Sequence, residues 1–165
     1  MDGPLNSMQS KSKDGLGFPL LLRRAWYGLN QAFRRRITHL SITPDQYTVL
    51  RNLWECGENG LTQKALTRKM SSDPNTVASL LERMETAGLL ERNVDEQDRR
   101  ARRIHLLPLG QERYQQARQI AHELQSDILS TLPAEDCAVF MRDLQQMADA
   151  CREAAARSPK GKKAS

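Results

Sequence analysis

Residues 72–107 read SDPNTVASLLERMETAGLLERNVDEQDRRARRIHLL, and this stretch decides the fold. Asp73 is a good helix N-cap, and Pro74 suits the first helical position, where its missing N–H is not needed. Val77, Leu80, Leu81 and Met84 recur at i, i+3, i+4 and i+7, which makes one apolar stripe. Gly88 follows the last turn, where a left-handed cap is wanted, and Leu89 can fold back onto the helix. Beyond it the period changes from helical to extended. Leu89–Asn93 and Arg102–Leu106 are set to pair as strands with Ile104 and Leu106 on one face, and Asp95–Arg100 forms a polar tip between them.

The outward face of this helix is small and hydrogen-bonding: Asn75, Thr76 and Ser79, then Arg83 one turn later. Such a face enters a major groove and reaches base edges without steric conflict. Arg99, Arg100, Arg102 and Arg103 crowd the hairpin, and that density of like charge calls for an anion. The tip has the size and charge to lie along an adjacent minor groove. Just upstream, Leu61–Met70 supplies a supporting helix with Thr62 as N-cap and Ala65, Leu66 and Met70 as its buried side. Together these pieces make a winged helix-turn-helix. The competing reading, a hairpin that merely packs on the helix with its charges solvated, leaves the crowded arginines unexplained.

At this point the residues resemble a family. TVASLLERMETAGLLER followed by DRRARRIHLLPLG is similar to the multiple-antibiotic-resistance regulator (MarR) family of bacterial transcription factors. Thr76, Val77, Arg83, Glu85, Gly88, Leu89, Arg92, Asp98, Arg100, Leu106 and Gly110 fall on that family's motif positions. The chain departs from the pattern at Ala78 and Leu107, where the family often has Thr; the first departure leaves the base preference open. The order of flanking helices also matches, so the resemblance spans roughly Phe18 to Ala156. It implies a homodimer that binds palindromic double-stranded DNA. Pro74, Asn75, Thr76, Ser79 and Arg83 are then the contacts of the reading helix, and Asp98, Arg99, Arg100 and Arg102 those of the wing, with Asp98 orienting Arg100.

Outward from this core, Thr43-Pro44-Asp45-Gln46 is a helix start with a capping box, and Tyr47, Leu50, Leu53 and Trp54 form that helix's buried side. Gly57–Gly60 is a loop, and Leu61-Thr62 a short strand. From Phe18 a helical period runs through Leu22, Trp26, Leu29, Phe33, Ile37 and Leu40. Arg34, Arg35 and Arg36 near its end read best as a solvated face. Pro108-Leu109-Gly110 breaks the strand, and two helices follow from Gln111 to about Ala156. The second carries Cys137, Phe140, Leu144, Met147 and Cys151 at near-heptad spacing, a stripe that needs a partner. The chain therefore divides into a disordered arm (1–17), a winged-helix domain (18–157) and a basic disordered tail (158–165). Within the domain, 43–110 is the DNA-binding lobe, and 18–40 and 111–157 are dimerisation helices. The fold class is mainly α, with a short β-hairpin wing.

Composition agrees. The 165 residues carry a formal net charge of +5, which points mildly toward polyanionic partners, and few aromatic rings for single-strand stacking. No apolar run reaches membrane-spanning length and no charged-then-apolar leader precedes the domain, so we expect a cytoplasmic protein without a membrane partner. His39, His105 and His122 sit on separate elements away from metal spacings, and no phosphate loop or nucleophile elbow is present. We expect no enzyme activity, metal or cofactor. Cys137 and Cys151 share a helix face and read as core packing.

The resemblance also implies control by a small aromatic or phenolic ligand that releases a repressor from DNA. Trp26, Tyr27 and Trp54 offer flat apolar contact, and Arg23 a partner for a carboxylate, although Trp26 and Trp54 also suit a core. Two alternatives remain. One is a winged-helix protein-interaction adaptor, which has no need of the clustered arginines. The other is a thiol-based redox regulator, for which Cys56 is a weak substitute for a cysteine near the start of the first helix.

Overall fold

A computed structural model describes residues 17–94 and 102–157. The expected arm (all but Gly17), the hairpin tip 95–100 with Ala101, and the tail 158–165 lie outside the described residues. The elements run α1 (Phe18–Ile37), a 3-10 turn (Thr38–Leu40), α2 (Pro44–Cys56), a second 3-10 turn (Gly57–Asn59), β1 (Leu61–Thr62), α3 (Gln63–Met70), α4 (Pro74–Thr86), β2 (Leu90–Val94), β3 (Arg102–Leu106), α5 (Pro108–Leu129) and α6 (Ala134–Arg157).

Capping chemistry sets the helix starts. Thr43 Oγ1 accepts from the Gln46 amide at 3.2 Å, while Gln46 Oε1 accepts from the Thr43 amide at 2.8 Å, so the capping box of α2 is closed on both sides. The Thr62 hydroxyl caps α3 through the Ala65 amide at 3.2 Å. Asp73 Oδ1 accepts from the Asn75 and Thr76 amides at 2.9 and 3.1 Å, which fixes the start of α4. At its other end Gly88, at φ +68°, donates to the Glu85 carbonyl, and Leu89 donates to that of Met84, both at 3.0 Å. A left-handed residue is required there, and glycine adopts it without a Cβ penalty. The turn between α3 and α4 uses Ser71 at φ +50° instead, a left-handed residue that no glycine announced.

The core of the first 121 residues is densest at Ile37, Val49, Leu50, Leu53, Leu66, Val77, Leu81, Met84, Leu90 and Ile104, each 2 % exposed or less. Each such side chain contributes roughly 1.5–3 kcal/mol through burial. The stripe of α2 is centred on Val49, Leu50 and Leu53; Tyr47 is half-buried and Trp54 exposed, which narrows the expected face. On α3 only Leu66 is buried outright, with Ala65 and Met70 at the margin. In the sheet, β3 lies between β1 and β2, both antiparallel to it. Leu90 pairs with Leu106, Arg92 with Ile104 and Val94 with Arg102. The strand starts at Leu90, not Leu89, because Leu89 closes the α4 cap and accepts from the Leu107 amide.

Two expectations need correction. Pro108-Leu109-Gly110 does end the strand, but it is also the first turn of α5: the Gln111 amide donates to the Leu107 carbonyl at 3.0 Å. Proline fits that position because its nitrogen has no helical partner to lose. The second correction concerns the cysteines. The chain divides into two units, 1–121 and 122–165. In the second, α6 has no buried residue: Cys151 is exposed, and Cys137 is half-buried, its thiol donating to the Pro133 carbonyl at 3.5 Å. Neither is core packing, because among the described residues of that unit none seals the α6 stripe. The first half of α1 is equally bare, and its buried residues begin only at Phe33.

Candidate nucleic-acid interface

The four buried residues of α4 turn the opposite face outward. Pro74, Asn75, Thr76, Ser79 and Arg83 are all exposed, with Ala78 partly covered between them. Their spacing places Asn75, Thr76, Ser79 and Arg83 on successive turns of one side. Arg83 Nε donates to the Ser79 carbonyl at 3.2 Å, which lays the guanidinium along the helix. Gln63 Nε2 reaches the Pro74 carbonyl at 3.4 Å and ties the first residue of α3 to the first of α4. Nothing in the spacing of the two residues announces that tie. Lys64, Arg68 and Lys69 add exposed cations to α3.

Arg102 is exposed at the start of β3. Asp98, Arg99 and Arg100 lie outside the described residues. Two further arginines organise the base of the hairpin. Arg103 Nη1 donates to the Asn59 carbonyl at 2.8 Å, holding β3 to the turn before β1. Arg92 pairs with Glu85 of α4, Nε to Oε2 at 2.8 Å and Nη2 to the same oxygen. The hydrogen bond from Arg92 is the main reason the Glu85 carboxyl is held below its usual range, with the Arg92 and Arg102 charges adding to it. Sequence reading placed Glu85 and Arg92 on motif positions, yet it missed their pairing. The available signal was opposite charge seven residues apart across a helix-ending glycine.

The expected ligand residues are not gathered by ring contacts. Arg23, Trp26 and Tyr27 are exposed on α1, with both rings at 64 %, so Trp26 is not core. Trp54 instead meets Tyr114 of α5 at 5.2 Å between centroids, Tyr114 stacks on Tyr47 at 5.9 Å, and Tyr47 meets Phe33 edge-on at 4.9 Å. Burial, with Tyr114 beside it, raises the Tyr47 phenol above its ordinary pKa. Cys56 donates to the Gly60 carbonyl at 3.3 Å. Among the described residues no group of three His, Cys, Asp or Glu side chains could hold a metal, and no helix is long and apolar enough to cross a membrane.

A supporting helix, an exposed polar helix and a cationic hairpin on a three-stranded sheet define a winged helix-turn-helix of the DNA-binding kind. The MarR family profile matches residues 42–101. The chain is 33% identical over 119 residues to the uncharacterized HTH-type transcriptional regulator YsmB of Bacillus subtilis, covering 72% of this chain and 80% of that one. It is 30% identical over 132 residues to the transcriptional regulator HosA of Escherichia coli O127:H6, covering 77% and 96%. The structure of the S. aureus MepR–DNA complex matches with a TM-score of 0.77 at 25% identity, over 82% of this chain and 98% of that chain. The chain belongs to the MarR family and is a transcriptional regulator, not an enzyme.

Proposed function

We propose that the protein is a homodimeric repressor that binds palindromic duplex DNA and leaves it when a small aromatic or phenolic acid binds. The observation that carries the DNA reading is the exposed row Asn75, Thr76, Ser79 and Arg83 on a helix whose other side is wholly buried. MepR, similar over most of this chain, was solved on DNA. Asn75, Thr76 and Ser79 take base edges or nearby phosphates, Pro74 brings the helix start to the backbone, and Arg83 holds phosphate. Arg102 continues the charge into the wing, where Arg99 and Arg100 line the minor groove and Asp98 orients Arg100. Dimerisation is supported by the uncovered stripes of α1 and α6. It presents two reading helices about 34–36 Å apart, one helical turn of DNA.

Sequencing the fragments that the purified protein selects from random duplex DNA tests this reading. The expected product is a palindrome; selection of nothing above background would end it. On the selected site, Ser79→Ala and Asn75→Ala are expected to shift base preference, each lost base contact being worth about 1–3 kcal/mol. A uniform loss on all sequences would assign these residues to phosphate alone.

Ligand control rests on Arg23, Trp26 and Tyr27 being exposed on α1, and on Trp54 remaining partly exposed against Tyr114. Titration with salicylate is expected to change tryptophan fluorescence and to weaken DNA binding together, because ligand and DNA alter each other's affinity by one factor. Fluorescence change with unaltered DNA affinity would mean binding without control.

A further inference from the structure

Alternation and register put Leu90, Arg92 and Val94 of β2 on the same sheet face as Leu106, Ile104 and Arg102 of β3. At the root of the hairpin this face is apolar and closed, with Leu90 and Ile104 fully buried. Farther out the packing ends: Val94 is 57 % exposed and Arg102 lies open. Strand β1 adds a third strand only opposite Ile104 and Arg103, so the outer ribbon is two-stranded, and such ribbons are marginal alone. At this boundary Arg92 turns both Nε and Nη2 onto Oε2 of Glu85, and both side chains are partly buried. The charge of Glu82 on α4 also acts on Arg92, and that of Arg102 on Glu85.

We infer that Glu85 and Arg92 are a positioning pair that locks the wing to the reading helix, so that the two grooves are met by one rigid body. The pair makes no base contact itself. Its forked geometry fixes the angle at which the ribbon leaves α4, where apolar packing no longer does so. The proposal rests on the duplex-DNA reading above, but one arm of its test does not.

That arm is backbone amide exchange in the free protein. Glu85→Gln and Arg92→Gln are both expected to speed exchange at Asn93, Val94 and Arg102 while leaving Leu81 and Met84 unchanged. Unchanged exchange in the ribbon overturns the inference whatever the DNA result. The second arm is affinity for the selected site. Each single variant is expected to bind about tenfold more weakly, and the double variant no worse than either, as for groups that act as a unit. Arg92→Lys keeps the charge without the fork and is expected to stay near Arg92→Gln. Wild-type affinity in Glu85→Gln beside a loss in Arg92→Gln would make Arg92 a direct phosphate ligand and refute positioning. Full recovery in Arg92→Lys, or losses that simply add, would do the same. Failure of the wild type to bind any duplex would instead remove the proposed function, with the exchange result still legible.

Discussion

Gly110→Ala is expected to destabilise the protein by about 3 kcal/mol or more, although alanine is ordinarily the better helix former by about 1 kcal/mol. Gly110 is buried in the first turn of α5, where a Cβ would stand 2.0 Å from the Leu89 carbonyl oxygen and 3.0 Å from its carbon. That oxygen belongs to backbone and already accepts from the Leu107 amide at 3.1 Å, so no flexible side-chain end can yield. Relief requires α5 to move off the sheet or Leu89 to leave its place. Leu89 also closes the α4 cap through the Met84 carbonyl, so the strain passes into the end of the reading helix. Thermal unfolding should fall by about 10 °C, and the denaturant midpoint should fall with it. A variant as stable as wild type would show that the α5 turn can slide without cost.

Leu144→Asp is expected to abolish operator binding without unfolding the DNA-binding lobe. Leu144 is half-buried on α6, between the exposed Phe140 and Met141 and the half-buried Met147. The stripe is apolar and only half covered by the described residues of its own unit, and a second copy is the cover we propose. A charge placed in that seam is unpaired and desolvated, a heavy penalty in any dimer. Sedimentation should report monomers. Affinity for the palindrome should fall about a hundredfold or more, because each half-site then binds without the other's effective concentration. Circular dichroism should keep its helical signal, since no residue of α6 is fully buried inside the chain. A variant that stays dimeric would place the interface elsewhere, on α1.

The two predictions differ in how much of their basis the sequence could show. The α6 stripe is a pattern of residue types at helical spacing, and Cys137, Phe140, Leu144, Met147 and Cys151 declare it without coordinates. Gly110 is different. Its place in the resembled motif drew attention to it, but the need for glycine comes from Leu89, twenty-one residues earlier in the chain, pressing against it. The pairing of Glu85 with Arg92 is of the same kind. Both residues are visible in the sequence, and their contact exists only because Gly88 reverses the chain at the right angle.

By itself the sequence determined what depends on nearest neighbours and period. That includes the capped starts of α2, α3 and α4, the left-handed end at Gly88, the apolar side of α4 and therefore its polar opposite, and the strands of the hairpin within one residue. Caps and stripes are local, and hydrogen-bond geometry or side-chain spacing fixes them within a turn or two. Only the tertiary structure decided which apolar residues find cover. Trp54 and Tyr47 stand at the same period as Leu50 and Leu53, yet their rings are shared with Tyr114 and Phe33 while the leucines are sealed. Trp26 and Cys151 keep an apolar period and are exposed, because burial depends on what another element brings to that face, and spacing along one helix carries no record of it.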